Sequence, residues 1–339
     1  MDPKSLRYAV LGAGAFGTAL ANIIAENGYH CSLWMRDESE AEEARASGVN
    51  IRYLPNLQLP DSLHIDSRLH KLAAECDVFI FTVPSSGVRE VAKVVAEDIK
   101  PGAFLVSGTK GIEPVTSKLM SQVLEEEIPG HEIGVLSGPN LAKEISEKQL
   151  TGTVIASHSK GLCDLIQEVM GNSYFRVYSN EDRTGVELAG TLKNIYAILS
   201  GIATGMGFGA NSMAMLLTRS LTEMSRYAAA QGANAASYLG LSGVGDLIAT
   251  CTSPLSRNFQ IGLRVGKGMS LDEAFKDLGQ TAEGVNTVAV VHERAKQLNI
   301  SMPLCQGLYE ILHANRPVKE VVSSLMDRDQ KQDVEYKVS

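Results

Sequence analysis

Leu6-Arg7-Tyr8-Ala9-Val10-Leu11-Gly12-Ala13-Gly14-Ala15-Phe16-Gly17-Thr18 is the first regular stretch of the chain. Tyr8 to Leu11 reads as a short buried strand, Gly12 to Gly17 as a G-x-G-x-x-G turn, and Thr18 to Asn27 as a helix that Gly28 ends. His30 to Trp34 reads as a second strand and closes a βαβ unit of the expected length. Each glycine has its own reason. Gly12 permits the tight turn, Gly14 leaves the backbone open to a pyrophosphate, and Gly17 lets the helix approach the strand. The helix start adds unpaired N–H groups and the positive end of its dipole. The spacing predicts a dinucleotide site.

The tip of the second strand, Met35-Arg36-Asp37, carries both charges side by side. An acid here holds the ribose hydroxyls of NAD, whereas a base accepts the 2′-phosphate of NADP. A guanidinium suits phosphate geometry. We expect both NADPH and NADH to be used, with Arg36 favouring NADPH. A surface ion pair is the competing reading.

At 339 residues there is room for one large or two ordinary domains, and 44% hydrophobic with 21% charged residues fits a globular chain. The net charge of −8, without a long basic run, argues against nucleic acid or an anionic membrane as the main partner. Cys31, Cys76, Cys163, Cys251 and Cys305 are scattered and form no C-x-x-C. A disulfide framework or zinc site is not expected, and a reducing compartment fits. The seven histidines are dispersed too, so no metal is expected. Met1-Asp2-Pro3-Lys4 leads directly into a strand, and no apolar run approaches ~18 residues. Neither signal peptide nor membrane span is expected, and the cytoplasm is the expected location.

Downstream, Glu38 to Ser47 reads as a helix and Asn50 to Ser62, with Pro55 and Pro60, as a loop. Asp77 to Val83 is a near-continuous apolar run suited to a parallel sheet covered on both faces. Pro84 stops it, and Ser85 is placed to cap a helix over Val88 to Glu97. Further strands are expected at Ala103 to Val106, Ile133 to Leu136, Thr153 to Ala156 and Phe175 to Tyr178. The carboxyl ends of the first two lead into Ser107-Gly108-Thr109-Lys110-Gly111 and Ser137-Gly138-Pro139-Asn140-Leu141-Ala142, where open α/β sheets bind ligands. Lys110 is thereby placed where a nicotinamide-bound substrate would lie, with a solvated loop lysine as the competing reading. From Asp182 onward the pattern is helical only. The expected fold is α/β: an N-terminal Rossmann-like, mostly parallel sheet domain (1–180), then an all-α C-terminal domain (181–339).

In the helical part, Leu188, Leu192, Ile195 and Leu199 form one apolar stripe. Lys193 lies off it among small neighbours, which reads equally as a ligand-facing lysine or a surface one. Gly240 to Gly245 is too glycine-rich for a helix interior and reads as a tight loop. Asp246 then opens a helix, either as a plain N-cap or to orient a lysine or a substrate hydroxyl. Ser256-Arg257-Asn258 reads as a helix start with a capping serine. Arg257 in a first turn is electrostatically unfavourable unless an anion sits there, which makes it a candidate phosphate clamp. Glu283 caps a further helix or reaches the cofactor.

Taken together, these motifs resemble the soluble, bacterial-type NAD(P)-dependent glycerol-3-phosphate dehydrogenases over nearly the full length. The resemblance is carried by the first glycine turn, Val83-Pro84-Ser85, Gly108 to Gly111, Ser137 to Ala142, Glu187 to Asn194, Gly243 to Leu247 and Ser256 to Asn258. It implies that Lys193 is the catalytic proton donor and acceptor. It implies substrate contacts from Lys110, Gly138, Asn140, Lys193, Asp246, Ser256, Arg257 and Asn258. For the cofactor it implies Ala15, Phe16, Arg36, Lys110, Ala142, Arg257, Thr281 and Glu283. Asn140 stands where Ser or Thr is frequent and Thr281 where Val is frequent. The implied reaction is reversible reduction of dihydroxyacetone phosphate to sn-glycerol 3-phosphate, supplying glycerol phosphate for phospholipid synthesis, in a homodimer. A two-domain hydroxyacid or ketopantoate-type reductase is the alternative enzyme, and a non-catalytic NAD(P)H sensor the alternative of another class.

Overall fold

The computed structural model describes residues 2–279 and 283–327. The chain divides into two compact units, Met1–Glu113 with Lys118–Glu187, and Leu188–Ser339 with Pro114–Ser117.

The first unit is built on ten strands: β1 (Arg7–Leu11), β2 (His30–Trp34), β3 (Val49–Asn50), β4 (Leu54–Gln58), β5 (His64–Asp66), β6 (Val78–Phe81), β7 (Phe104–Ser107), β8 (Glu132–Ser137), β9 (Thr151–Ala156) and β10 (Phe175–Asn180). Eight of them form one sheet in the order β10-β9-β8-β7-β6-β1-β2-β5. Every pairing in it is parallel except β8 with β9. The helices of this unit are α1 (Ala15–Glu26), α2 (Glu38–Ser47), α3 (Leu69–Glu75), α4 (Val88–Asp98), α5 (Met120–Glu127), α6 (Ala142–Ser146) and α7 (Lys160–Met170). Alternate residues along β1 enter different cores: Tyr8 and Val10 pack with Leu20, Ile23 and Ile24 of α1, whereas Ala9 and Leu11 pack with Val88, Val91 and Val95 of α4. Burial on both faces is why these strands are apolar throughout.

The second unit contains α8 (Arg183–Gly205), within which the division falls, α9 (Ala210–Ala229), α10 (Asp246–Thr252), α11 (Arg257–Gly266), α12 (Leu271–Leu278), α13 (Glu283–Gln297), α14 (Pro303–His313) and α15 (Val318–Met326). Leu188, Leu192, Ile195 and Leu199 are buried, as the stripe predicts. The burial goes further than one stripe: Ala189, Thr191, Lys193, Tyr196 and Ser200 are buried too, so α8 is enclosed on every face. Close backbone approach allows this. Side chains at Gly201 and Gly205 would collide with α11 backbone, and side chains at Gly262 and Gly266 with α8 backbone.

Three local expectations are corrected. The segment read as a loop over 50–62 holds the antiparallel β3–β4 hairpin, anchored by buried Leu54 and Leu57, with Leu59 buried just after it. Ser85 does not cap α4; it begins a 3-10 turn, Ser85–Gly87, leading into it. The glycine-rich run before Asp246 is a π-helical turn, Leu241–Gly245, continuous with α10. Gly243 makes that turn possible, since a side chain there would collide with the Tyr238 backbone.

Candidate active site

The glycine turn lies at the carboxyl end of β1, flanked by β2 and β6, where the strand order reverses and open α/β sheets bind ligands. Gly12 has φ +116°, and a Cβ there would sit 2.8 Å from Val83 N. A side chain at Gly17 would collide with Gly12 O and Thr82 Oγ1, so this glycine is demanded by helix-to-strand packing. Gly14 differs. It is the N-cap of α1 with ordinary extended dihedrals, and nothing lies within 4 Å of where a Cβ would stand. The protein's own packing therefore gives no reason for glycine at 14, whereas a pyrophosphate against the backbone does. On this observation the turn fits a dinucleotide. Ala15 and Phe16 open α1 and are half-buried against the sheet.

At the strand tip, Arg36 is exposed. Asp37 is the N-cap of α2: Oδ1 accepts from Ser39 N at 2.9 Å, Glu40 N at 3.1 Å and Ser39 Oγ at 2.7 Å. The Ser39 hydroxyl, then the Glu40 N–H, hold its carboxyl below the usual carboxylate range. Its ribose-binding reading therefore competes with a cap already made.

Two of the predicted groups in this unit meet directly. Lys110 Nζ donates to Gly138 O at 2.8 Å and stands 6.0 Å from the Phe16 ring centroid. Gly138 has φ +150°, and a Cβ there would sit 3.0 Å from Thr153 Cα. Asn140 Nδ2 donates to Thr153 Oγ1 at 2.9 Å, and that hydroxyl donates to Ser137 O at 3.2 Å. Asn140 Oδ1 is buried with no hydrogen-bond partner among the described residues. Ala142 opens α6 and is half-buried beside the same core.

The second unit gathers another group around Lys193. Lys193 Nζ donates to Asp246 Oδ1 at 2.5 Å and to Thr250 Oγ1 at 2.6 Å, and Thr250 Oγ1 lies 3.2 Å from Asp246 Oδ1. Lys193 and Asp246 are buried, which settles the surface reading of the lysine against it. Asp246 spends its carboxylate on the lysine and Thr250 rather than on a helix cap. Thr250 is the participant that sequence reasoning missed. The available signal was its i+4 spacing from Asp246, which puts both on one face of α10.

One residue along α8, Asn194 Oδ1 accepts from Asn258 Nδ2 at 3.0 Å, and Asn258 Oδ1 accepts from Gly284 N at 3.0 Å. The Asn258 amide thus ties the starts of α11 and α13 to α8 beside Lys193, a role sequence reasoning did not assign. Ser256 caps α11 as expected, its Oγ accepting from Phe259 N at 3.3 Å. Arg257 is exposed in the first turn and makes no hydrogen bond or ion pair to a described residue. Glu283 is the first residue of α13, and Thr281 lies outside the described residues. Among the described residues no group of three His, Cys, Asp or Glu could hold a metal, and no helix is long and apolar enough to cross a membrane.

Comparison with known proteins is consistent along the whole chain. A family model described as NAD-dependent glycerol-3-phosphate dehydrogenase N-terminus matches residues 7–163, and its C-terminus counterpart matches residues 182–323. A glycerol-3-phosphate dehydrogenase [NAD(P)+] of Teredinibacter turnerae is 53% identical, covering 98% of both chains. The crystal structure of glycerol-3-phosphate dehydrogenase from Coxiella burnetii is 36% identical with a TM-score of 0.92, over 95% of this chain and 99% of that one. A ketopantoate reductase of Ralstonia eutropha is 16% identical with a TM-score of 0.58, over 95% of this chain and all of that one, and shares the fold alone.

Proposed function

The chain belongs to the NAD-dependent glycerol-3-phosphate dehydrogenase family, and we propose that Lys193 is its proton donor and acceptor in the reversible reduction of dihydroxyacetone phosphate to sn-glycerol 3-phosphate. The observation that carries this reading is the buried Lys193 ammonium held between Asp246 and Thr250. An ammonium fixed in advance stabilises a developing alkoxide without reorganisation, and it can then give that alkoxide a proton. In the reverse direction Lys193 takes the hydroxyl proton. Asp246 and Thr250 hold the nitrogen in place.

The exposed Arg257 and the Ser256-capped helix start bind the substrate phosphate, and this remote binding positions the ketone. Lys110 adds positive potential at the carboxyl edge of the sheet, where the nicotinamide would lie. Asn140 Oδ1, buried without a partner, is an acceptor that a substrate hydroxyl would satisfy. Bound NAD(P)H supplies the hydride, held by the Gly12 to Gly17 turn, Arg36, Ala142 and Glu283. The first two turns of α9 carry Met213, Met215, Leu216 and Leu217 yet bury no residue before Ser220, which supports a homodimer formed through this helix. Five buried free thiols support a reducing, cytoplasmic setting.

The test is oxidation of reduced nicotinamide with dihydroxyacetone phosphate, unphosphorylated dihydroxyacetone or ketopantoate. Rapid oxidation with the phosphorylated ketone alone is expected, and repeating it with NADH reads the role of Arg36. Turnover of ketopantoate instead would overturn the substrate. No turnover with any of the three would favour a sensor.

A further inference from the structure

We propose that Asn50 is a positioning residue for the cofactor: its side-chain amide locks the Ala13–Gly14 peptide in the orientation that turns the Gly14 N–H toward a dinucleotide pyrophosphate. The inference rests on the cofactor reading of the glycine turn and adds to it a residue from outside that motif.

Asn50 ends β3, in the segment whose sequence reads as a loop. Its side chain is buried, and Nδ2 donates to Ala13 O at 2.8 Å and to Thr18 Oγ1 at 2.8 Å. Thr18 Oγ1 in turn lies 3.3 Å from Ala13 O. Hairpin, turn and helix thereby close a ring of three hydrogen-bonding groups. Both N–H groups of the amide are used, and only an amide offers two donors on one short side chain.

The consequence follows from peptide planarity. No described peptide bond is cis, and in a trans peptide the carbonyl of one residue and the N–H of the next point in opposite directions. Holding Ala13 O toward Asn50 therefore turns the Gly14 N–H away from the hairpin. It does so at the helix start, where no atom lies within 4 Å of a Gly14 Cβ. The orientation of this peptide turns on ψ of Ala13 and φ of Gly14; glycine at 14 leaves the second torsion with little intrinsic preference, so an external clamp helps to choose it. The clamp is well anchored. Leu54, Leu57 and Leu59 on or beside β4 belong to the same buried core as Leu20, Ile23 and Ile24 of α1.

The experiment uses the full chain and measures equilibrium affinity for NADPH and NADH beside steady-state kinetics. It compares wild type with Asn50→Ala, Asn50→Asp and Thr18→Val. Asn50→Asp preserves shape but replaces the two donors with acceptors facing Ala13 O. Both Asn50 variants should raise the Kd of both cofactors on the order of tenfold. At saturating cofactor, kcat and the KM for dihydroxyacetone phosphate should stay within about twofold. Loss for both cofactors alike marks the shared pyrophosphate and separates this role from that of Arg36 at the ribose. Should the Asn50 variants fail to fold, Thr18→Val decides by the same readout, because it removes one acceptor of the amide without emptying the buried space. An unchanged Kd in the folded variants, or a fall in kcat at saturating cofactor with Kd unchanged, overturns the proposal. A wild type that binds neither cofactor overturns the cofactor reading and this proposal together. A wild type that binds, with variants that bind as well, overturns this proposal alone.

Discussion

Asp246 Oδ1 lies 2.5 Å from Lys193 Nζ, with the two side chains only 1% and 8% exposed. A buried pair of this kind adds little net stability, but removing one partner strands the other. Asp246→Asn should therefore lower kcat about a hundredfold by releasing the ammonium from its fixed place. It should also destabilise the fold by roughly 3 kcal/mol. Lys193→Ala should abolish most turnover with cofactor affinity little changed. Near-normal kcat in Lys193→Ala would remove Lys193 from the mechanism, and near-normal kcat in Asp246→Asn would remove the positioning role of Asp246.

Thr250 supplies the second acceptor to the same ammonium, at 2.6 Å. Thr250→Val keeps the volume and removes the hydroxyl. It should cost about 1–2 kcal/mol of transition-state stabilisation, read as kcat/KM, while leaving cofactor Kd unchanged. Thr250→Ser should restore most of the loss, and a serine variant no better than valine would argue for packing rather than hydrogen bonding.

Two glycines in one turn should respond in opposite ways. Gly14 has open space at its Cβ position and extended dihedrals that alanine accepts. Gly14→Ala should keep the melting temperature and weaken cofactor binding. Gly17→Ala should destabilise the fold itself by about 1–3 kcal/mol or more, because the new methyl meets Gly12 O and Thr82 Oγ1. Equal effects of both substitutions on stability would contradict the assignment of Gly14 to the ligand.

The exposed Arg257 makes no hydrogen bond or ion pair with a described residue, so truncating its side chain should cost the fold little. Arg257→Ala should raise the KM for dihydroxyacetone phosphate by about tenfold or more. The slow reaction with unphosphorylated dihydroxyacetone should be unaffected. A proportional loss with both ketones would mean that Arg257 does not read the phosphate.

Glu223 on α9 gives a pH signature away from Lys193. Its carboxylate accepts from Leu304 N at 2.7 Å, from Cys305 N at 3.2 Å and from Tyr196 Oη at 3.2 Å. Burial pushes its pKa from 4.5 up to about 7, against the lowering effects of these donors and of Arg226. The folded state therefore holds this proton more tightly than the unfolded chain. The contribution to stability is full below pH 4.5 and is lost as pH rises toward 7. The loss across that window is about 3 kcal/mol. Chemical unfolding at pH 5 and pH 8 should show it. Glu223→Gln should flatten this dependence, although the amide has only one acceptor for the two backbone donors. An unchanged slope in the variant would place the titration elsewhere.

Much of the first unit is legible in the sequence. Tyr8 to Leu11, the glycine turn and the second strand are adjacent in sequence, and their conformations follow from apolar runs, glycine sterics and strand spacing. Ser256 was legible as a cap for the same reason, since its bond to Phe259 N spans three residues. The Asn50 to Ser62 segment was misread because its prolines mask a hairpin whose stability comes from leucines buried against other elements. The π-helical turn before Asp246 was misread because its shape answers to Tyr238, which presses on Gly243.

The sequence by itself determined the βαβ dinucleotide turn, the passage from alternating strands and helices to helices alone, and which residue types were available for chemistry. These depend on neighbours a few positions apart. Only the tertiary structure decided what those residues do to one another. Lys193 meets Asp246 and Thr250 across 53 and 57 residues, Asn258 bridges Asn194 to Gly284, and Asn50 reaches Ala13 across 37. Such pairings are set by how closely whole elements approach. In the second unit that approach is fixed where Gly201 and Gly205 of α8 meet the α11 backbone at Gly262 and Gly266. Helical periodicity sets the face a side chain occupies, but what waits opposite that face is decided by packing.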